Sequence, residues 1–471
     1  MDVRAVRQVQ PAGSSELHSA VRASIRHQIS HRPALCYARA RFSTSTVPGS
    51  PEAARRATVA SGLEEATMNR RSFLTTAAGA ATLAFPTVLR AQSKEPIRVG
   101  FPLPLTGPFA ALANDLQRGA TLAAEELNAR GGVLGRRLEV LFRDDQLKPA
   151  VGAQRTKELI ENEQVQFIVG GLAAHVQMAI NEQTKKSKVL FISVSQSDEI
   201  SAKPDTSPLT FHEALNPTIT CRAVGGWAAQ NLGKKWWIVY ADYAWGKQCN
   251  AVLTDVLKRH GGTLLGSTPY PLGNAEFVAH LPKIRAAKPD VLMSATPGAD
   301  NVAFLKQVIS FGMKKEMRVA QPLLWLPTVK EGGPDVYADV YGGINFYWEV
   351  EDTIPQAKRY VAAFRKRFNM PPGDYGCYGY SGIRELARGI ELAKSTDSDA
   401  VAKALRANPV YDHYKGKQWW RACDDKSFQD LWIVRGREPG KLLGEWGLLD
   451  VVSRIPANEE LDRTCVEKGL A

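Results

Sequence analysis

Apolar positions along this chain repeat with two periods in turn, which predicts alternating strands and helices. From residue 97 onward, short stretches that are apolar at every second position, or throughout, are typical of strands. Between them, apolar side chains recur every three to four residues. In a predicted helix at 116–130, for example, Leu116, Ala120, Ala123 and Leu127 share one face. Such strand–helix–strand repetition predicts an α/β fold, a parallel sheet with helices on both of its faces.

The predicted elements form two similar runs with a break at Asn216-Pro217. In the first run, strands are predicted at 97–102, 137–142, 165–169 and 189–194, and helices at 116–130, 151–161 and 177–186. In the second run, strands are predicted at 236–241, 263–269, 291–294 and 318–324, and helices at 219–232, 250–259, 277–287 and 302–311. Then follow a strand at 344–348, helices at 356–368, 378–393 and 399–407, and a last strand at 431–434. A chain of 471 residues exceeds one ordinary core, so two lobes are expected.

A short segment ahead of these elements predicts export from the cytoplasm. The pair Arg70-Arg71 precedes a mildly apolar run that ends near Ala91. A charged region, an apolar region and a small residue, in that order, make an export signal, and the paired arginines resemble the twin-arginine type. The run is too short for a membrane-spanning helix, which needs about 20 apolar residues. We therefore predict a cleaved signal at 68–91 and a mature chain that begins near residue 92.

Residues 1–67 are not predicted to form a domain. They contain many arginines, serines and alanines, no lysine, and no periodic apolar pattern. One interpretation is an organelle transit peptide, which is rich in Arg and Ser and poor in acids. The other is a translation start assigned too early, with Met68 as the true start. A twin-arginine signal must be N-terminal to be recognised, so we favour the second interpretation, in which this segment is not part of the native protein or is disordered.

Charge and cysteine usage exclude several classes of function. Of the formal net charge of +12, residues 1–91 carry +7, which leaves +5 for the rest of the chain. This mild excess has no basic stripe and does not favour nucleic-acid binding. No cysteine pair has C-x-x-C spacing and the histidines are scattered, so neither a metal site nor a cofactor is expected.

Two cysteines are candidates for a disulfide. Export permits disulfide formation. Cys423 and Cys465 both lie in the loop-rich C-terminal part, where a cross-link would restrict the unfolded chain. We predict that these two pair and that at least one other thiol stays free as a small buried hydrophobe.

Motifs of the common enzyme classes do not occur. The chain has no G-x-G-x-x-G, no Gly-Lys-Ser/Thr and no G-x-S-x-G sequence, which argues against nucleotide binding and against a hydrolase elbow. Asp144-Asp145 stands at the end of a predicted strand beside Lys148, where a solvated turn is the favoured interpretation. We expect no enzyme.

A set of short motifs carries a family resemblance. They are Pro104-Leu105-Thr106-Gly107-Pro108-Phe109, Gly119-Ala120, Glu125-Glu126-Leu127-Asn128, Gly131-Gly132-Val133-Leu134-Gly135-Arg136-Arg137-Leu138, Asp144-Asp145, Ala241-Asp242-Tyr243-Ala244-Trp245-Gly246 and Tyr270-Pro271-Leu272-Gly273. Together they resemble the branched-chain amino-acid-type substrate-binding proteins of ABC importers, which are type I periplasmic binding proteins. The resemblance runs from about residue 97 to at least residue 440.

This resemblance implies a fold and a function. The fold is two α/β lobes, each a parallel sheet flanked by helices, joined by three hinge crossings with the ligand in the cleft between them. Lobe 1 is expected at 94–216 plus 344–427, and lobe 2 at 217–343 plus 428–471. The implied function is a monomeric periplasmic subunit, in a Gram-negative-type bacterium, that delivers a small polar organic solute to the permease subunits of an importer. The solute classes implied are an amino acid, an amide or urea, or an aromatic acid. A ligand sensor for a membrane receptor is the alternative, and an exported enzyme is less favoured.

The resemblance also implies ligand-binding residues. They are Leu112, Ala173, Ala174, Ser195, Gln196 and Ser197 on one side of the cleft, Trp245, Thr296, Pro297 and Gln321 on the other, and Tyr347 as a wall aromatic. Ala173 and Ala174 replace two serines that grip an amino acid's carboxylate in the family. Gln321 stands about where amino-acid binders place an acid for the ammonium. These departures favour an amide, urea or an aromatic acid, on which Trp245 and Tyr347 could stack.

Overall fold

The computed structural model describes residues 95–470, and the predicted export signal and the segment before it lie outside this range. The strands are β1 (Ile97–Leu103), β2 (Leu138–Asp144), β3 (Phe167–Gly170), β4 (Leu190–Ser193), β5 (Thr210–His212), β6 (Lys235–Ala241), β7 (Thr263–Tyr270), β8 (Val291–Ala295), β9 (Arg318–Gln321), β10 (Val340–Ile344), β11 (Val410–Tyr411), β12 (Gln418–Arg421), β13 (Lys426–Phe428), β14 (Leu431–Gly436) and β15 (Leu449–Ile455).

Twelve α-helices accompany these strands within the described range. They are α1 (Ala110–Ala129), α2 (Pro149–Glu161), α3 (Ala174–Ser187), α4 (Pro217–Asn231), α5 (Ala244–Arg259), α6 (Leu281–Ala287), α7 (Gly298–Ser310), α8 (Leu326–Gly332), α9 (Pro334–Tyr337), α10 (Pro355–Phe368), α11 (Asp374–Ala393) and α12 (Ser398–Ala407). Between residues 95 and 470, no helix is both long enough and apolar enough to cross a membrane.

The strands form two sheets, and each sheet with its helices makes one lobe. The first sheet has the order β11-β12-β13-β5-β4-β3-β1-β2 and the second β15-β14-β10-β9-β8-β6-β7. The chain completes β1–β5, crosses to β6–β10, returns for β11–β13 and crosses again for β14–β15, which gives three crossings. The two-lobed α/β fold expected from the sequence is therefore present.

Both sheets are mixed, whereas the sequence pattern predicted parallel sheets. Strands β11–β13 pair antiparallel, and β14 pairs antiparallel with both β10 and β15. The reason is connection length: only short turns join β11 to β12 and β12 to β13, and parallel pairing needs a crossover of a dozen or more residues. The remaining pairs are parallel: they are the pairs among β1–β10 and the pair of β5 with β13.

Several predicted boundaries were wrong. The strand expected at 344–348 is β10, which lies four residues earlier and includes Gly342 and Gly343. A side chain at Gly343 would lie 2.7 Å from the Pro322 carbonyl oxygen, so glycine there reflects close backbone approach within the sheet. The helix expected at 277–287 begins at Leu281, and the strand expected at 318–324 ends at Gln321.

Close contact between α1 and α11 forms the helical face of the first lobe. A side chain at Gly119 would lie 1.7 Å from the Gly376 carbonyl oxygen, and one at Gly379 would lie 2.1 Å from the Leu116 carbonyl oxygen. The two helices touch backbone to backbone because glycine occupies these positions. This contact fixes the first turn of α11, which reaches the cleft.

The C-terminal segment, residues 458–470, packs back against the first lobe, and we call it the C-terminal clasp. A disulfide joins its Cys465 to Cys423, the partner predicted from the sequence, with a Cα–Cα distance of 6.2 Å. The buried Lys468 ammonium lies 2.6 Å from Asp424 Oδ2 and 2.7 Å from Asp462 Oδ2. Asp462 also accepts a hydrogen bond from Asn216 Nδ2, at 2.8 Å, in the crossing that leads to α4.

Candidate ligand cleft between the two lobes

A small cavity lies between the lobes where parallel strands end and helices begin. Its lining residues are Phe109, Leu112, Leu172, Ala174, Gln196 and Tyr375 from the first lobe, and Tyr243, Trp245, Pro297 and Trp325 from the second. The carboxyl ends of parallel strands are the general location of ligand sites in α/β folds. The cavity therefore lies where the fold places a ligand.

The wall from the first lobe includes the start of helix α3. Ala173 occupies the N-cap position with an extended backbone, and its methyl side chain cannot cap the helix. The first N–H groups of an α-helix have no partner within the helix, so those of Ala174 and His175 remain free to bind a ligand. The positive end of the helix dipole adds to their preference for a negatively charged group.

The opposite wall is aromatic. The ring centroids of Tyr243 and Trp245 are 6.2 Å apart, and those of Trp245 and Trp325 are 5.6 Å apart. Trp325 in turn lies 6.5 Å from Tyr375 of the first lobe. On the other side, Tyr243 meets the edge of the His175 ring at 5.4 Å. These rings form a continuous row that crosses from one lobe to the other.

Direct hydrogen bonds hold the two lobes together around the cavity. Trp245 Nε1 donates to Gln196 Oε1 at 3.2 Å, and the backbone N–H of Asp198 donates to Gln248 Oε1 at 3.2 Å. The cavity between them has a free volume of about 10 Å³, which is room for about one water molecule. The structure thus represents a closed cleft, and any organic ligand needs the lobes to separate or lining side chains to rotate.

No charged side chain lines the cavity among residues 95–470. Burial raises the pKa of the Tyr243 hydroxyl well above its ordinary value, so this group is neutral at physiological pH. Burial lowers the pKa of His175, whose Nε2 lies 3.2 Å from the Leu147 carbonyl oxygen, so its ring is also neutral. No cluster of three or more His, Cys, Asp or Glu side chains that could hold a metal occurs in the described part of the chain.

The structure brings together five of the residues predicted for the site. They are Leu112, Ala174, Gln196, Trp245 and Pro297, and all of them line the cavity. Ala173 adjoins them as the residue that precedes α3. Their contact with a ligand remains a prediction.

Hydroxyl groups predicted for the first lobe are turned to other partners. The Ser197 hydroxyl donates to Glu199 Oε2 at 2.7 Å and does not line the cavity. Ser195 is fully buried outside the lining, and its hydroxyl has no hydrogen-bond partner within the described part of the chain. A ligand role for these two serines would require their side chains to rotate.

Three more of the predicted residues, Thr296, Gln321 and Tyr347, also lie outside the lining. Thr296 Oγ1 accepts from Asn301 Nδ2 at 2.6 Å, and Gln321 Nε2 donates to Asn301 Oδ1 at 3.3 Å, so both belong to a polar network inside the second lobe. The Tyr347 hydroxyl donates to Glu349 Oε1 at 3.1 Å. Their ligand contacts stay predictions that this closed cleft does not display.

Five lining residues were not among the predicted site residues: Phe109, Leu172, Tyr243, Trp325 and Tyr375. Phe109 and Tyr243 lie inside motifs that carried the family resemblance, and Leu172 lies in the predicted turn before α3. Trp325 and Tyr375 stand at the starts of α8 and α11. An aromatic residue at a helix start on the strand-end side of the sheet is the signal that could have found the last two.

Comparison with known proteins agrees with this architecture. The sequence is similar to Leu/Ile/Val-binding protein homolog 3 of Brucella melitensis, at 25% identity over 386 residues that cover 79% of this chain and 98% of the relative. The fold is similar to that of a periplasmic binding protein from Burkholderia mallei, with a TM-score of 0.73 and 24% identity over 80% of this chain and 98% of that one.

A second solved structure has a bound ligand. It is a solute-binding protein of an ABC transporter from Rhodopseudomonas palustris, in complex with 3,4-dihydroxybenzoic acid. The TM-score is 0.70, with 22% identity over 77% of this chain and 98% of that one. The model of the periplasmic binding protein family matches residues 96–441, which is most of the chain. The chain therefore belongs to the periplasmic binding protein family.

Proposed function

We propose that this chain is the solute-binding subunit of an ABC importer and that its ligand is an aromatic carboxylic acid. The observation that carries the proposal is the composition of the cavity. Five of its lining side chains, Phe109, Tyr243, Trp245, Trp325 and Tyr375, are aromatic, and none that lines it within the described range is charged. Aromatic rings pack favourably on planar ligands in stacked or edge-to-face geometry.

An α-amino acid fits this cavity poorly. Its ammonium would be buried without a carboxylate partner, and an unpaired buried charge costs several kcal/mol. Gln321, at the position where the family resemblance implies an acid for the ammonium, is held by Asn301 within the second lobe. A ligand with one negative group and no positive group avoids this cost.

The start of α3 supplies a place for the carboxylate. The free N–H groups of Ala174 and His175 and the positive end of the helix dipole favour an anion there. Gln196, which also lines the cavity, can donate from its amide. The ring of the ligand would then lie against the aromatic wall of the second lobe.

Capture requires that the lobes open and close. The cavity is too small for a ring, so the ligand would enter an open cleft and be enclosed by rotation about the three crossings. We propose the lobe boundaries 94–216 plus 344–427 and 217–343 plus 428–471, in which the C-terminal clasp ends the second range and packs back against the first lobe, and a monomer as the working form. The Rhodopseudomonas protein with 3,4-dihydroxybenzoic acid supports the ligand class. The name of the Brucella relative makes branched-chain amino acids the main competitor.

A thermal-shift screen of the mature chain tests the ligand class. Benzoate, 3,4-dihydroxybenzoate, benzamide, leucine and urea would be compared at equal concentrations. A ligand present at 100 times its Kd stabilises the protein by about 2.7 kcal/mol. We expect the two aromatic acids to raise the Tm and leucine and urea to leave it unchanged. A larger shift with leucine than with either acid would contradict the proposal.

The variant Ala174→Pro tests the carboxylate position. Proline at the first helical position removes one N–H and is otherwise well tolerated. The extended backbone of Ala173 suits a residue before proline. We expect the Kd for benzoate to rise by about tenfold to a hundredfold, because a charged hydrogen bond contributes about 1.5–3 kcal/mol. Benzamide, which has no charge, should lose less, and equal losses for both would argue against an anion site at this helix.

Export is the remaining part of the proposal. The family is periplasmic, and the twin-arginine signal predicted at 68–91 would account for that location. Mass spectrometry of the exported protein should show an N-terminus near residue 92. An exported chain that retains Met1 would contradict both the signal and the assigned cleavage site.

A further inference from the structure

Trp325 has an unusual buried nitrogen. Its ring lines the cavity, only 4% of the residue is exposed, and its Nε1 has no hydrogen-bond partner among residues 95–470. Buried polar groups in folded proteins are nearly always hydrogen-bonded, because the loss of water is otherwise uncompensated. An unpaired donor on a side chain that lines a ligand cavity therefore needs an explanation.

Other tryptophans of the same chain follow the rule. Six indole N–H groups donate to an acceptor at 2.8–3.2 Å, namely those of Trp236, Trp237, Trp245, Trp348, Trp419 and Trp420. Among residues 95–470, Trp325 alone has an indole nitrogen that is both buried and without a partner. The contrast with Trp245 is the most informative, because both rings line the same cavity and only Trp245 has an internal acceptor, in Gln196.

Packing holds Trp325 in this position. It is the residue before α8, and its ring lies between those of Trp245 and Tyr375. The row of aromatic rings does not depend on the indole N–H, since a phenylalanine at position 325 would also place a ring there. The nitrogen thus has no evident structural role within the described residues, and a role toward the ligand remains.

We propose that Trp325 Nε1 selects the ligand by donating a hydrogen bond to an oxygen substituent on the aromatic ring of the ligand. An indole N–H can only donate, so the partner must be an acceptor such as a hydroxyl, ether or carbonyl oxygen. The hydroxyl of Tyr375, whose ring is next to Trp325, can accept the proton of a ligand hydroxyl. The inference rests on the proposed function: the carboxylate lies at the start of α3, and a second, neutral oxygen lies at Trp325.

The predicted ligand class is therefore a ring-oxygenated aromatic acid rather than benzoate itself. A site with a buried donor discriminates strongly against an analogue that lacks the acceptor, since the donor is then left unpaired. Calorimetric titration of the wild-type chain with benzoate and its 2-, 3- and 4-hydroxy isomers should give one isomer that binds about tenfold or more tightly than benzoate.

Two matched variants distinguish this role from simple packing. Trp325→Phe removes the N–H and keeps an aromatic ring, so the preferred hydroxybenzoate should lose about tenfold in affinity and benzoate less than about threefold. Trp245→Phe removes an N–H that already has Gln196 as its acceptor, so both ligands should weaken by the same factor. Circular dichroism of the free proteins would verify that both variants fold.

The outcomes separate the two proposals. If the isomers and benzoate bind the wild-type chain equally, or if Trp325→Phe weakens all of them by one common factor, the role of Trp325 is wrong and the proposed function stands. If no aromatic acid binds, the proposed function fails and this inference fails with it. The wild-type comparison of isomers remains decisive even if Trp325→Phe does not fold.

Discussion

The C-terminal clasp offers the sharpest test of the stability of this fold, through the variant Asp462→Asn. Asp462 Oδ2 lies 2.7 Å from both Lys468 Nζ and Arg421 Nη2, and its other oxygen accepts from Asn216. Burial alone would raise the pKa of Asp462, but Lys468, Asn216 and Arg421 outweigh it and lower the pKa from 3.8 to about 2. The charged form is thus favoured by the folded state.

The lowered pKa of Asp462 sets how much stability the Asp462→Asn variant is expected to lose. A shift of nearly two pH units corresponds to about 2.5 kcal/mol of stability at pH 7. Asparagine keeps the shape of the side chain but has no charge, so urea denaturation at pH 7 should show a loss of about 2–3 kcal/mol in the free energy of unfolding. As a control, Asp255→Asn breaks an exposed pair with Arg259 and should cost less than about 1 kcal/mol.

The stability that Asp462 contributes should change with pH in one direction. A carboxylate with a lowered pKa in the folded state stabilises above its unfolded pKa, and this stability is lost as the pH falls through the folded value. The wild-type and Asp462→Asn stabilities should therefore differ most above about pH 4 and converge near pH 2. The clasp is not a stabilising ion cluster if Asp462→Asn and Asp255→Asn lose equal stability at pH 7. The same conclusion follows if the difference in stability between the wild type and Asp462→Asn grows as the pH falls.

Three further outcomes follow from single contacts. Cys423→Ser should lower stability by about 3–4 kcal/mol, since the disulfide closes a loop of 42 residues, and unfolding of the wild type in reducing buffer should reproduce the loss. Gly119→Ala should destabilise the protein by about 3 kcal/mol or more, because its Cβ would lie 1.7 Å from the Gly376 oxygen. The control Gly440→Ala has no atom near its Cβ and should be close to neutral, and equal Tm values for the two variants would refute this packing. Gln248→Ala removes the bond from Asp198 across the cleft and should raise the ligand off-rate severalfold in stopped-flow experiments, whereas an unchanged off-rate would show that this bond does not hold the cleft closed.

Sequence periodicity was sufficient for most of the α/β framework. The long buried strands β1, β6 and β8 and the helices α10 and α11 have strong apolar patterns, and they occur close to where they were predicted. The missed strands are of another kind. Strands β5 and β11–β13 are only two to four residues long, and β15 is an edge strand with several exposed positions. Such segments depend on their neighbours for pairing and have little periodic signal of their own.

The candidate site was predictable as a region but only partly as a set of side chains. The family resemblance places Ser197 and Thr296 just after strands and Gln321 at the end of β9, at the edge of the sheets that faces the cleft, yet hydrogen bonds to Glu199 and Asn301 direct their polar groups elsewhere. The choice among local partners depends on atoms brought together by the fold, which spacing does not encode. For the same reason the sequence could not indicate that the Trp325 indole N–H would find no acceptor among the residues that the structure describes.

The central claim is that the cleft binds an aromatic carboxylic acid in preference to an amino acid. Isothermal titration calorimetry of the mature wild-type chain, with 4-hydroxybenzoate and leucine in parallel, tests it most directly. The aromatic wall and the absence of a charged side chain from the lining of the described cavity predict saturable 1:1 binding of 4-hydroxybenzoate and no measurable heat with leucine. Saturable binding of leucine with higher affinity than 4-hydroxybenzoate would contradict the account.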